Sequence, residues 1–288
     1  MKNTASSHVS VSGYSLAFAT PLATYFLLFF LAPLVLLVII SFYADNGMTH
    51  WGSLQAWGRM FDAFGLTVLL DTLWLGLQVT ALTLVLGYAV AWTFLRLPPK
   101  LQPLVIFIVM LPLLTSVVVR TFAWIVILGR QGIVNAVLQW AGWIETPLKL
   151  LYTRPGLVVA LANVQLPLMV LPLITALQRI DPNLTDASAS LGAGAWRTFR
   201  RVTVPLSLPG VVAGCLLTFA AAITAFISQS LIGGGQMLFM PMYLYQQASS
   251  LSNYPFAAAI GLTFLVAVLL CVSAFNALGR LSRGAVAG

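Results

Sequence analysis

Charge is what this chain has least of. Charged residues make up 7% of its 288 positions, against roughly a quarter in an ordinary soluble domain. Too few ionic groups remain to coat a water-facing surface, which excludes a soluble domain of this length. Histidine is nearly absent. His8 falls in a polar N-terminal stretch and His50 in a loop, with no His/Asp/Glu cluster and no Ser–His arrangement to support an enzyme. Cys215 and Cys271 lie in separate apolar runs without ligand-spaced neighbours. They read as small packing residues, and no metal site follows. No Gly-x4-Gly-Lys-Ser/Thr sequence occurs, so the chain carries no phosphate-binding loop; Gly233–Gly235, with no strand before it, reads as a turn. The net charge of +8 is dispersed over loops with no basic stripe. That excludes nucleic acid as the partner and favours anionic lipid.

What fills the chain instead is hydrocarbon: 60% apolar residues and a mean hydropathy of +0.98. Six runs are long enough to span a bilayer: Leu16–Phe42, Leu66–Leu95, Pro103–Leu128, Gly156–Leu177, Gly210–Ile232 and Phe256–Leu278. They are continuously apolar rather than alternating, so they predict helices and not a barrel. The first run is too long for a signal-peptide core and lacks a small-x-small site after Phe42, so it is expected to stay as an anchor.

Basic residues set the orientation. With both termini inside, the inner segments hold Lys2, Arg96, Lys100, Arg179, Arg197, Arg200, Arg201, Arg280 and Arg283. The outer loops hold Arg59, Arg130, Lys149 and Arg154, so the count is nine against four. Of the loops, 45–65 carries Trp51, Trp57 and Phe61 and reads as interfacial. Residues 129–155 repeat Ile133, Val134, Val137, Leu138 and Trp140 at helical spacing, predicting a short helix on the outer surface. Arg96-Leu-Pro-Pro-Lys100 is a tight inner turn. No repeat, long linker or soluble domain interrupts the pattern.

The polar interruption at residues 179–209 is too long and too patterned for a connector. Asp181 before Pro182 is a helix opening, an N-cap acceptor followed by proline at the first helical position. A helix Pro182–Leu191 follows, rich in small residues, and Gly192 is placed to end it. A second short helix, Ala195–Thr203, sets Trp196, Phe199 and Arg200 at i, i+3 and i+4, and Pro205 and Pro209 are expected to close the loop. The pair predicts a knob with a small, apolar exposed face. An amphipathic segment lying on lipid is the other reading.

Asp186-Ala-Ser-Ala-Ser-Leu-Gly192, then Val202-Thr-Val-Pro205 and Leu208-Pro209-Gly210, resemble the EAA loop of permeases from binding-protein-dependent ABC importers. Asp186 stands where that family has Glu and Ser188 where it has Ala; Ala187, Gly192 and Pro205 match. A wider stretch is similar to the spermidine/putrescine-type branch. It includes Thr115–Trp124, Gly132-Ile-Val-Asn135, Thr146-Pro147, Gly214-Cys215 and Pro255–Ala259.

The resemblance implies an all-α integral membrane protein of the type I importer permease fold, six transmembrane helices with both termini cytoplasmic, in a bacterial inner membrane. It divides the chain into a tail (1–15), a first helix and loop (16–66), a five-helix core (67–279) and a second tail (280–288). It implies coupling to an ATPase through Asp186, Ala187, Ser188, Leu191, Gly192, Trp196, Arg200 and Pro205. The implied partners are a second, non-identical permease, two copies of a cytoplasmic ABC ATPase and an external solute-binding protein. ATP and Mg would sit on the ATPase, leaving this chain without a cofactor or catalysis of its own. The solute implied is a polyamine or related amine. An ion-coupled secondary transporter is the alternative, but it needs embedded acids or inverted repeats, and neither is visible.

Polar side chains deep in spans mark candidate pathway positions. These are Asn163 and Gln165 in the fourth run, and Thr218, Thr224, Ser228 and Gln229 in the fifth, with Pro167 and Pro172 kinking the fourth; the ring of Phe226 is a further pathway candidate. Interhelical packing is the other role open to each. Tyr88, Trp92, Trp124 and Phe226 could offer cation–π faces or be core and belt aromatics. Arg120, the one basic residue inside a run, is at a depth similar to Asp71. An Arg120–Asp71 pair bracing an outer gate is expected, with snorkelling of Arg120 as the other reading.

Overall fold

The computed structural model describes residues 14–44 and 47–284. The expected N-terminal tail up to residue 13, Asp45 and the last four residues lie outside the described residues. Among those described, the chain is helical apart from turns and a single isolated bridge, Tyr43–Trp51. Six helical stretches are long and apolar enough to cross a membrane, among them 117–140, made of two successive helices.

The elements run α1 (Tyr14–Ser41), α2 (Gln55–Met60), α3 (Ala63–Arg96), α4 (Gln102–Leu114), α5 (Val117–Leu128), α6 (Ile133–Trp140) and α7 (Arg154–Gln178). Then come α8 (Pro182–Ser190), α9 (Ala195–Thr198), a π-helical turn (Phe199–Thr203), α10 (Val204–Ile223) and α11 (Phe226–Gly233). The chain finishes with α12 (Met240–Tyr245), a second π turn (Gln246–Ser250) and α13 (Tyr254–Gly284).

Helices α3, α7 and α10 form the centre of the molecule. With no hydrophobic force between helices in lipid, close packing requires small residues at the crossings. A Cβ on Gly210 would stand 2.7 Å from the Pro172 carbonyl oxygen, and one on Gly214 2.6 Å from the Met169 sulfur. Glycine at these two positions lets α10 lie against α7. One core layer joins Leu75, Leu157, Leu161, Ala222 and Ile232; a second joins Phe94, Val109, Met169, Leu173 and Cys215. A third fastens α2 and α12 to α3 and α13 around Met60, Met240 and Ile260. Thr72 supports it, its hydroxyl accepting from the Met240 amide at 2.9 Å. Helix α1 stands apart, its most apolar stretch wholly unburied within the chain, and packs along α13.

Two of the expected runs are not continuous helices. The stretch 103–128 breaks at Thr115–Ser116 into α4 and α5, with Thr115 extended at ψ 148°. Pro112 carries no N–H, which already weakens the helix there. Its carbonyl, freed by the break, accepts instead from the Thr115 hydroxyl at 3.1 Å and from the Arg120 guanidinium. The fifth run breaks at Thr224–Ala225, and the Gln229 amide donates to the released carbonyls of Ala222 (2.8 Å) and Ile223 (3.2 Å). The halves beyond the two breaks, α5 and α11, pack together with Thr121 and Ser228 hydroxyls 3.1 Å apart. In each span a side chain six to eight residues further along donates to the carbonyls at the break, as buried carbonyls require.

Pro205 and Pro209 do not close the loop before the fifth span as expected. Both lie in α10, which starts at Val204. Pro205 is in its first turn, where proline is tolerated, whereas Pro209 lies inside the helix and costs it one backbone hydrogen bond.

Candidate functional site

Loop 179–209 folds as the sequence foretells up to Trp196. Asp181 caps α8 by accepting from the Asn183 amide at 2.9 Å. Gly192 ends it at φ +78°, in the left-handed region. The Ala193 amide reaches back to the Ser188 carbonyl (3.1 Å) and the Gly192 amide to that of Ala189 (2.9 Å), the double bond pattern of a Schellman stop. Ser188 and Thr198 hydroxyls, 2.9 Å apart, tie α8 to α9. The second helix is shorter than expected: it is α-helical over Ala195–Thr198 and then widens into the π turn that feeds α10.

Neither α8 nor α9 buries a residue. Asp186, Ala187, Gly192 and Arg200 are exposed, Ser188 and Pro205 half-buried. Leu191 is 88% exposed and Trp196 72%. Two large apolar side chains at the tip of a rigid, small-residue knob are an unfilled contact surface.

A ring cluster that sequence reasoning missed holds the knob to the body. Phe199 lies edge-on to Trp92 (centroids 4.9 Å apart) and Tyr88 (5.6 Å), and stacks on Trp196 (5.5 Å). Arg96 covers the far ring, its guanidinium carbon 4.4 Å from the Trp92 centroid. The Tyr88 hydroxyl meets Ser207 Oγ at 3.0 Å, which reaches α10 as well. Tyr88, Trp92 and Arg96 stand at i, i+4 and i+8 on α3, a stripe that was readable as one face. Of the aromatics read either as cation faces or as core and belt residues, Tyr88 and Trp92 are engaged in this clamp, and Trp124 packs against the core layer of α7.

Of the expected pathway residues, Gln165, Thr218, Ser228 and Gln229 are buried among helices of this chain. Asn163 and Thr224 are exposed and Phe226 half-buried. Asn163 continues a stripe on α7 that runs through Pro167 and Leu171 to Thr175, and Thr224 one on α10 through Leu217. Between those stripes lies an open groove of about 650 Å³, lined by Pro167, Leu171, Thr175, Arg179, Leu206 and Leu217 among others.

The expected Arg120–Asp71 pair is not formed. Asp71 accepts from Arg154 at the start of α7, Nη2 to Oδ1 2.8 Å, while Arg120 is turned to the Pro112 carbonyl. Equal depth along two helices does not make two residues neighbours around the bundle. Arg154 is brought to Asp71 because α7 packs on α3 along its length. Fully buried Asn135 binds the carbonyls of Gly129 and Leu148 (both 3.0 Å) and the Leu148 amide (2.9 Å). This side chain pins α6 where the sequence expects a short surface helix.

Comparison with known proteins agrees with this geometry. The chain belongs to the family described as the binding-protein-dependent transport system inner membrane component, whose model matches residues 83–284. It is thus a multi-pass permease subunit of an ABC importer in a bacterial inner membrane, a transport component and not an enzyme. Membership sets aside the ion-coupled secondary transporter. The spermidine/putrescine transport system permease protein PotB of Escherichia coli strain K12 is 33% identical over 229 residues, 80% of this chain and 83% of that protein. PotB of Haemophilus influenzae is 32% identical over 254 residues, 86% of this chain and 89% of that protein. In fold the chain is similar to a bacterial alginate ABC transporter solved with an alginate pentasaccharide-bound periplasmic protein. The TM-score is 0.74 at 20% identity, covering 92% of this chain and 93% of that one.

Proposed function

We propose that this permease forms half of the pathway of an importer for a polyamine or related organic amine, and is driven through the α8–α9 knob. The knob and both termini face the cytoplasm, as the distribution of Lys and Arg favours. A separate ABC ATPase, present in two copies and carrying ATP and Mg, receives Leu191, Trp196 and the small face around Asp186–Ser188. A second, non-identical permease stands against the α7–α10 face. An external binding protein delivers the solute, which passes along the groove between α7 and α10, from Thr224 and Asn163 toward Thr175. The observation that carries this reading is the knob itself: stiffened at both ends, clamped by rings to α3, and left bare at Leu191 and Trp196. When ATP draws the two ATPase subunits together, a stiff lever transmits the displacement as rigid-body motion of the helices. The amine class is supported by the similarity to the spermidine/putrescine permeases.

The test is reconstitution of the complete assembly in proteoliposomes, with labelled spermidine or putrescine and its binding protein outside. ATP-dependent uptake is expected, together with co-purification of a soluble P-loop ATPase. Asp186→Arg should abolish both uptake and ATPase capture while membrane insertion persists. Normal uptake by that variant would remove the coupling claim.

A further inference from the structure

A polyamine pathway needs something to attract ammonium groups, yet this chain places no carboxylate in the middle of its spans. Two backbone irregularities meet at one cavity of about 320 Å³ that meets the need without one. The first is the break at Thr224, where α10 ends. The second is the π turn at Gln246–Ser250. Single π turns within helices recur at functional sites. The cavity is lined by Thr224, Phe226, Pro241, Tyr245, Ser249 and Phe264 among others, with no charged residue in its wall.

Each polar or aromatic element there is electron-rich. The rings of Phe226 and Tyr245 stand 5.1 Å apart and tilted by 41°, and Tyr245 is 47% exposed. Ring faces carry negative potential and attract cations most strongly where water is scarce. The Thr224 hydroxyl donates to the Ala220 carbonyl at 2.7 Å, which leaves its lone pairs to accept. The cavity lies where α10 ends and α11 begins, so the two opposed helix ends leave its sign to the side chains. An anion would find no positive charge in its wall. A neutral sugar would find few hydrogen-bonding groups.

The geometry points to this cavity as a weak subsite for one ammonium end of an organic amine in transit, held by the Phe226 and Tyr245 faces and the Thr224 oxygen. It deepens the amine reading above and rests on it. Weak, charge-free recognition suits a transit site, because a carboxylate partner in the bilayer would hold the cation too tightly to release it.

Fluorination of Phe226 separates this role from packing, since fluorine draws electrons from the ring face while barely changing its size. In the complete assembly, residue 226 is replaced by mono-, di- and trifluorinated phenylalanine. Spermidine uptake from the loaded binding protein and ATP hydrolysis are then measured together. Uptake should fall stepwise, by about tenfold in total for the trifluorinated ring, with hydrolysis stimulated by the binding protein retained. Thr224→Val should add a further loss, and Phe226→Tyr should keep uptake near the unmodified level. A flat fluorination series in an assembly that imports spermidine would overturn the subsite, leaving the cavity to a lipid chain or a side chain of the second permease. If the unmodified assembly imported neither spermidine nor putrescine, the amine reading would fall first and the subsite with it.

Discussion

Replacing Phe199 by alanine removes the hub through which the knob grips the body. Three rings meet it, at 4.9 Å (Trp92), 5.5 Å (Trp196) and 5.6 Å (Tyr88). An aromatic pair contributes about 0.5–1.5 kcal/mol beyond its buried area, so the two that join knob to body, with Trp92 and Tyr88, amount to roughly 1–3 kcal/mol. Phe199 is half-buried rather than enclosed, which points to the lower part of that range. A loss of about 1.4 kcal/mol lowers the ratio of clamped to free knob roughly tenfold. Leu191 and the small face of α8 are untouched by the change and Trp196 loses only a stacking partner, so the variant should still capture the ATPase and hydrolyse ATP. Uptake should fall by about tenfold or more, because the stroke no longer reaches α3 through a stiff contact. Released phosphate and accumulated label, measured on the same proteoliposomes, give solute carried per ATP. Phe199→Tyr should keep most of that ratio. An unchanged ratio in Phe199→Ala would refute the lever, and equal loss of hydrolysis and uptake would make Phe199 a docking residue.

Three further outcomes follow from the packing. Gly192→Ala forces a side chain into φ +78° with open space around it. It should cost about 1 kcal/mol of local stability, read as faster hydrogen exchange at residues 187–193, with Asn tolerated better than Ala. Gly214→Leu drives a side chain into Met169. An overpacking cost of about 1–3 kcal/mol should lower the thermal midpoint in detergent. Asp71→Asn and Arg154→Gln should be non-additive by a few tenths of a kcal/mol to about 1 kcal/mol, as for a partly exposed pair, whereas Asp71→Asn with Arg120→Gln should be additive.

The spans and the knob were legible because their signals are local. Continuous apolar runs, the Asp181-Pro182 opening and the Gly192 stop each act within a few residues. The breaks at Thr115–Ser116 and Thr224–Ala225 were not, although Pro112 and Thr115-Ser116 were on view. A break in lipid survives only if something receives its freed carbonyls, and here Arg120 and Gln229 do so. Those partnerships belong to three-dimensional neighbourhoods that hydropathy does not encode. The same limit explains Asp71: depth could be counted from the sequence, but the angular position of α7 around α3 could not. Four expected pathway residues proved to be interior because a polar residue on a helix does not declare which neighbour it faces. The clamp was half legible, since Tyr88, Trp92 and Arg96 share one face of α3, while Phe199 reaches them only through the fold.

Helix α1 is made before α13, the helix it packs along, with every other described helix between them. Until α13 is made, α1 stands in lipid without its neighbour, and its unbroken greasiness makes that wait harmless. Closure of this side of the molecule comes only after the rest of the described bundle has been made. A chain cut short before α13 would leave its own beginning unmoored.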